Sequence, residues 1–172
     1  LLALCAELDI AVYAGGAGTD VLRGRPILAL DISGLGHILA QDRLSGLVDV
    51  EAGIGGMALE RQLKARGLTS GTAFETSLGG WIARAETMPA AVQSVTVATP
   101  QGVLHLGNGL HHLMAGSRGS LGVITSAKLQ IRPNPESEDC HAYLCPDFAA
   151  GLALLRETAR SGLAHGRLFL SD

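Results

Sequence analysis

Apolar positions at helical spacing open the chain. Leu1, Leu4, Cys5 and Leu8 fall on one face of a helix over Leu1 to Asp9, and the lack of a capping residue places its true start upstream. Short apolar runs predict strands at Ile10 to Tyr13 and at Pro26 to Asp31, the second stopped by Ser33-Gly34. His37 to Gln41 and Gly46 to Glu51 pair as a hairpin across Asp42-Arg43-Leu44-Ser45, with Val48 and Val50 alternating against Leu47, Asp49 and Glu51. Gly53-Ile54-Gly55-Gly56 then turns into a helix over Met57 to Arg66, with Leu59 and Leu63 one turn apart and Gly67 at its end. This order describes a compact α+β unit rather than a long doubly wound sheet.

The texture changes at Gly71. Thr72 to Ser77 is polar and irregular, Leu78-Gly79-Gly80-Trp81 follows, and Ile82 to Thr87 has room for one or two helical turns. Ser94 to Thr99 is a strand that returns through Pro100-Gln101-Gly102 to Val103 to Leu106, which reads as the start of a second sheet. A cluster at Gly116 to Gly122 leads into the strand Val123 to Ile131, stopped by Arg132-Pro133. Asn134 to Asp139 reads as a linker. Beyond it come a strand at Cys140 to Leu144, a helix at Phe148 to Arg160 with Leu152, Leu155 and Ala159 on one face, and a returning strand at Arg167 to Leu170 after Gly162. Such a unit cannot bury its own sheet and is expected to begin a second domain that is cut off at Asp172. The division is thus 1–133, in halves of about 1–70 and 71–133, and then 134–172.

Composition narrows the function classes. With 172 residues, 47% hydrophobic, 17% charged and a net charge of −3, the chain has no basic run for nucleic acid or an anionic membrane. Aromatic residues at 3% remove base-stacking platforms as well. Neither a membrane-length apolar run nor a signal peptide is visible, so a cytoplasmic protein is expected. Cys5, Cys140 and Cys145 lack metal-ligand spacing and read as free thiols, and no metal site is expected.

Glycine is the compositional oddity, at 23 residues. In Ala14-Gly15-Gly16-Ala17-Gly18-Thr19-Asp20, bare backbone amides behind a buried strand form a concave site for an anion such as a diphosphate. No P-loop lysine and no clean GxGxxG accompany it. Two further glycine segments, around Gly79 and Gly119, also carry hydroxyls: Thr76 with Ser77, and Ser117 with Ser120. The three together read either as a clasp for a long polyanionic cofactor or as three ordinary turns.

These motifs, with Leu30-Asp31-Ile32-Ser33, Val50-Glu51-Ala52-Gly53-Ile54, Val97-Ala98-Thr99-Pro100-Gln101-Gly102 and Gly116-Ser117-Arg118-Gly119-Ser120-Leu121-Gly122-Val123-Ile124-Thr125, fall in an order that resembles the FAD-linked oxidases of the vanillyl-alcohol oxidase and p-cresol methylhydroxylase superfamily. Trp81 after the glycine pair, Arg132-Pro133 and the closing Arg167 to Asp172 are most similar to the alkyldihydroxyacetonephosphate synthase branch and its bacterial glycolate and D-lactate dehydrogenase relatives. The resemblance implies an FAD domain of two α+β subdomains, followed by the start of a ferredoxin-like substrate cap. It implies noncovalent FAD, with Ala14, Gly15, Gly16, Ala17, Gly18, Thr19 and Asp20 at the diphosphate and Thr76, Ser77, Gly79 and Gly80 on the diphosphate and ribityl side. Arg118, Gly119, Ser120, Leu121, Gly122, Val123 and Ile124 are implied along the flavin and adenosine portions.

The implied activity is oxidation of a small hydroxylated substrate, such as a 2-hydroxy acid, by hydride transfer to flavin N5. Alternatives are alkylglycerone-phosphate synthesis through a flavin adduct, or a degenerate fold that only binds. The catalytic base is not assigned, and a homodimer is compatible with the resemblance. Arg118 stands where the family usually has Glu, and the stretches between Ile82 and Val95 and between Gly109 and His111 are shorter than usual, which suggests that segments of a longer chain are missing there. His111-His112 reads as a surface helix start, Trp81 as packing rather than a flavin stack, and Arg23 and Arg25 as solvated.

Overall fold

A computed structural model describes residues 1–15, 26–137, 142–161 and 170. The chain divides into two compact units, Leu1–Asn134 and Pro135–Asp172. The first unit is α+β.

Helix α1 (Leu2–Glu7) leads into strand β1 (Ala11–Ala14), which pairs in parallel with β2 (Ile27–Leu30), Ala11 opposite Ile27 and Ala14 opposite Leu30. The expected hairpin forms as β3 (Ile38–Asp42) and β4 (Leu47–Glu51), held at its turn by the Asp42 carboxylate, which accepts from the amides of Leu44 at 2.9 Å and Ser45 at 3.1 Å. Helix α2 (Gly56–Lys64), the short β5 (Leu68–Thr69), helix α3 (Leu78–Arg84), β6 (Val92–Thr99) and β7 (Gly102–Leu106) follow. A 3-10 helix over Leu110–Met114, β8 (Val123–Gln130) and β9 (Arg132–Pro133) complete the unit.

One five-stranded antiparallel sheet, in the order β3-β4-β8-β6-β7, replaces the two sheets expected from the sequence. The strand at Ser94 joins the hairpin's sheet because β8 inserts between them, Val50 opposite Ala127 on one side and Val95 opposite Ala127 on the other. One face of this sheet carries Val48, Val50, Val95, Val97, Ala127 and Leu129, and these form a common core with Leu59 and Leu63 of α2 and Leu78 and Ile82 of α3. Arg132-Pro133, expected only as a stop, pairs with β5.

Helix α3 begins four residues before the expected turn at Ile82. The Ser77 hydroxyl caps it, accepting from the Gly80 amide at 3.2 Å. Two glycines in its first turn, poor helix formers, mask this start in the sequence. Val92 N–H donates to Pro89 C=O at 2.9 Å before β6, and Leu110 N–H to Gly107 C=O at 3.0 Å after β7.

In the second unit, helix α4 (Phe148–Ser161) starts where Asp147 accepts from the Ala150 amide at 2.8 Å. Ala142 to Leu144 forms no strand, and Tyr143 and Leu144 are exposed. Cys140, Gly162 and the expected strand residues Arg167 to Phe169 lie outside the described residues.

Candidate FAD site

The carboxyl end of β2 opens onto a cleft of about 610 Å³, which Leu1, Leu2 and Ala3 at the start of α1 also line. Leu30, Asp31 and Ile32 form one wall, and the β6–β7 turn at Pro100 with Val123 and Thr125 of β8 forms the other. Of the residues implied for the cofactor, Val123 lines this cleft. Ala14 ends β1 beside it, and Gly15 N–H closes the ladder onto Leu30 C=O at 3.3 Å. Gly15 has a φ of +108°, with open space where a Cβ would stand, so the backbone leaves the sheet uncovered. Gly16, Ala17, Gly18, Thr19 and Asp20, as well as Arg23 and Arg25, lie outside the described residues.

The second glycine segment is tied into the fold. Gly79 N–H donates to Ala52 C=O at 2.8 Å, Leu78 N–H to Ile54 C=O at 2.9 Å, and Gly80 N–H to the Ser77 cap. A Cβ on Gly79 would stand 3.1 Å from that of Ala52, so this glycine serves the packing of α3 on the hairpin. Thr76 is exposed, and the Arg84 side chain folds back over the helix, Nε donating to Gly80 C=O at 3.1 Å.

The third segment is the open one. Arg118, with φ +48°, and Gly119, with φ +88°, turn the backbone outward, anchored by Arg118 N–H on Ala83 C=O at 2.9 Å. Among the described residues the amides of Gly119 and Leu121 donate to nothing, and Arg118, Gly119, Ser120 and Leu121 are all exposed. Ser120 N–H, between them, donates to Ser117 C=O at 2.9 Å, which leaves two alternate amides open to oxygen acceptors. Gly122 folds the loop back, its position for a Cβ lying 2.7 Å from Ala98 C=O, and Ile124 points into the core. The loop runs into the cleft lining at Val123, and its two open amides fit an anionic cofactor; the α3 start does not line the cleft.

These features belong to a known family. Residues 1–107 match the FAD binding domain family. The chain belongs to it. The alkyldihydroxyacetonephosphate synthase of Caenorhabditis elegans is 29% identical over 95% of this chain and 32% of its own length, and that of Dictyostelium discoideum is 26% identical over 94% and 31%. The D-lactate dehydrogenase of Anaerostipes hadrus is 27% identical over 87% of this chain and 39% of its own length. A solved alkyldihydroxyacetonephosphate synthase structure superposes with a TM-score of 0.81 at 27% identity, over 94% of this chain and 35% of that one. The chain spans about a third of the length of the curated synthases it matches.

Sequence reasoning missed the wall formed by the β6–β7 turn, where Pro100-Gln101-Gly102 reads only as a turn. It also missed His111, which is 8% exposed, its Nδ1 without a partner among the described residues. Burial, and then the neighbouring His112, pushes the His111 pKa below its ordinary 6.5. Trp81 stacks on Phe74, centroids 4.8 Å apart and planes at 15°, in line with a packing role. Among the described residues no cluster of three His, Cys, Asp or Glu side chains could hold a metal, and no helix is long and apolar enough to cross a membrane.

Proposed function

We propose that this chain holds FAD, noncovalently, for a flavoenzyme of the alkyldihydroxyacetonephosphate synthase type acting on a small-molecule substrate. The observation that carries the reading is the superposition of 94% of the chain on a solved synthase, together with a cleft and an open amide loop where a long anionic cofactor needs them. When bound, FAD supplies an electron-accepting ring at which a substrate carbon is activated. The chain's own residues bind and orient. Ala14 and Gly15 bring the chain close to the diphosphate, Gly15 through its missing Cβ while its own amide stays on Leu30 C=O, and the exposed Thr76 hydroxyl adds a hydrogen bond. Gly119 and Leu121 donate their amides to cofactor oxygens, Arg118 brings a positive charge to the same loop, and Val123 walls the cleft. Buried hydrophobic neighbours keep these groups in place without touching the cofactor.

A second reading is hydride abstraction from a 2-hydroxy acid, favoured by the similarity to the Anaerostipes hadrus D-lactate dehydrogenase and to the D-2-hydroxyglutarate dehydrogenase of Bos taurus, 26% identical over 91% of this chain. One experiment separates the two. The full-length protein is reconstituted with FAD, and its visible spectrum is followed anaerobically with D-lactate. A flavin spectrum unmoved by D-lactate, with formation of an alkyldihydroxyacetonephosphate, supports the synthase; bleaching supports the dehydrogenase. Colourless protein that takes up no FAD overturns both and leaves a fold retained for binding alone.

A further inference from the structure

The walls of the cleft are largely apolar. Leu30, Ile32 and Leu35 line it on one side, and Pro100, Val103 and Val123 on the other. Among the described residues that line it, Asp31 has the only ionisable side chain. We propose that the Asp31 carboxylate accepts from the hydroxyls of the ribose in the adenosine half of FAD, an assignment that rests on FAD being the ligand of the cleft.

Strand register gives the position. β1 and β2 run parallel with Ala14 opposite Leu30, and Gly15 N–H reaches Leu30 C=O at 3.3 Å. Asp31 therefore stands one residue beyond the ladder, one strand over from the turn at Gly15. Dinucleotide-binding folds use the same placement: the diphosphate sits where the first strand ends, and an acidic residue at the end of the second accepts from the ribose. Charge selects the same part of the cofactor. Ser33, first through its amide at 2.8 Å from Oδ1, holds the Asp31 carboxyl below its ordinary 3.8, so it is an anion at neutral pH. An ionised carboxylate accepts at about four lone-pair sites, which leaves capacity beyond what Ser33 uses. It repels phosphate, so it belongs beside an uncharged stretch rich in hydroxyl donors, while apolar walls suit a base. The acceptor is also held in place. Leu35 N–H donates to Ile32 C=O at 2.9 Å and Gly53 N–H to Leu35 C=O at 2.8 Å, and a Cβ on Gly53 would overlap the Ile32 carbonyl oxygen. The end of the β3–β4 hairpin thus fixes the turn that follows Asp31, and little ordering is left for binding to supply.

The test uses the full-length protein loaded with FAD, and flavin fluorescence follows displacement of the cofactor by ADP, by 2′,3′-dideoxy-ADP and by FMN. ADP is expected to bind about tenfold or more tightly than the dideoxy nucleotide, the size of a hydrogen bond to a charged group. Asp31→Ser keeps an oxygen for the Ser33 amide but has no carboxylate, and in it the two nucleotides are expected to bind about equally. A residue that only shaped the turn would weaken both nucleotides by one factor and leave their ratio unchanged. Equal affinities in the natural chain, an unchanged ratio in Asp31→Ser, or displacement of FAD by FMN but not by ADP overturns the assignment. Protein that takes up no FAD overturns the FAD reading itself, and this assignment with it.

Discussion

At the scale of single residues, burial decides chemistry that neighbours in sequence leave open. His111 and His112 are identical side chains with ring centroids 4.5 Å apart, yet His111 is buried in the 3-10 helix and His112 is exposed. The folded state resists protonating His111, while the unfolded chain takes the proton near pH 6.5. The unfolded state therefore binds more protons below that pH, and stability is lost as pH falls through the window between 6.5 and the lowered folded value. His111→Gln keeps a polar side chain of similar size but does not titrate. Its melting temperature is expected to fall less than that of the natural chain between pH 7.5 and 5.0. The carboxylates act lower: Glu51 is held below its ordinary 4.5, first by the His37 amide and then by the His37 ring at 2.8 Å, so its contribution is present above 4.5 and is lost only below it. An equal acid slope in both proteins above pH 5 would remove His111 as the cause.

At the scale of elements, local pattern was readable and long-range pairing was not. The alternation of Val48 and Val50 against Leu47, Asp49 and Glu51 placed β4 and its buried face, and the spacing of Leu59 and Leu63 placed α2. The insertion of β8 between β4 and β6 joins residues some eighty positions apart, such as Val48 and Leu129, and nothing local encodes which strand fills a gap. The start of α3 was hidden for the opposite reason, because Gly79 and Gly80 look like a turn while Ser77 makes them a capped helix. Ser77→Ala should cost about 1 kcal/mol, the usual worth of such a cap, and Thr at this position should recover most of it. Leu59→Ala empties a fully buried site between helix and sheet and should cost about 2–5 kcal/mol. Denaturant titration measures both, and near-equal losses would mean that α2 is less tightly packed than its burial indicates.

At the scale of the molecule, the ordered run of weak motifs carried the family, and the shape of the site needed coordinates. Three glycine clusters look equivalent in sequence; in the fold, the one at Gly79 spends its amides on Ala52 and Ser77, while the one at Gly119 leaves the amides of Gly119 and Leu121 open among the described residues. Arg118 at the mouth of that loop is the feature that distinguishes this chain, since it brings a cation where the resemblance leads one to expect Glu. FAD that binds only the folded state at about a hundred times its Kd stabilises by about 2.7 kcal/mol. For a chain of this size that raises the melting temperature by roughly 5–11 °C. If Arg118 pairs with a cofactor phosphate, that rise is salt-sensitive, because an exposed pair is screened within about 10 Å at 0.1 M salt. Arg118→Gln should then show a smaller FAD-induced rise, and moving from low salt to about 0.5 M should shrink the rise more in the natural chain than in the variant. An equal salt response in both proteins would show that the loop grips FAD through the amides of Gly119 and Leu121 and that the reversed charge plays no part.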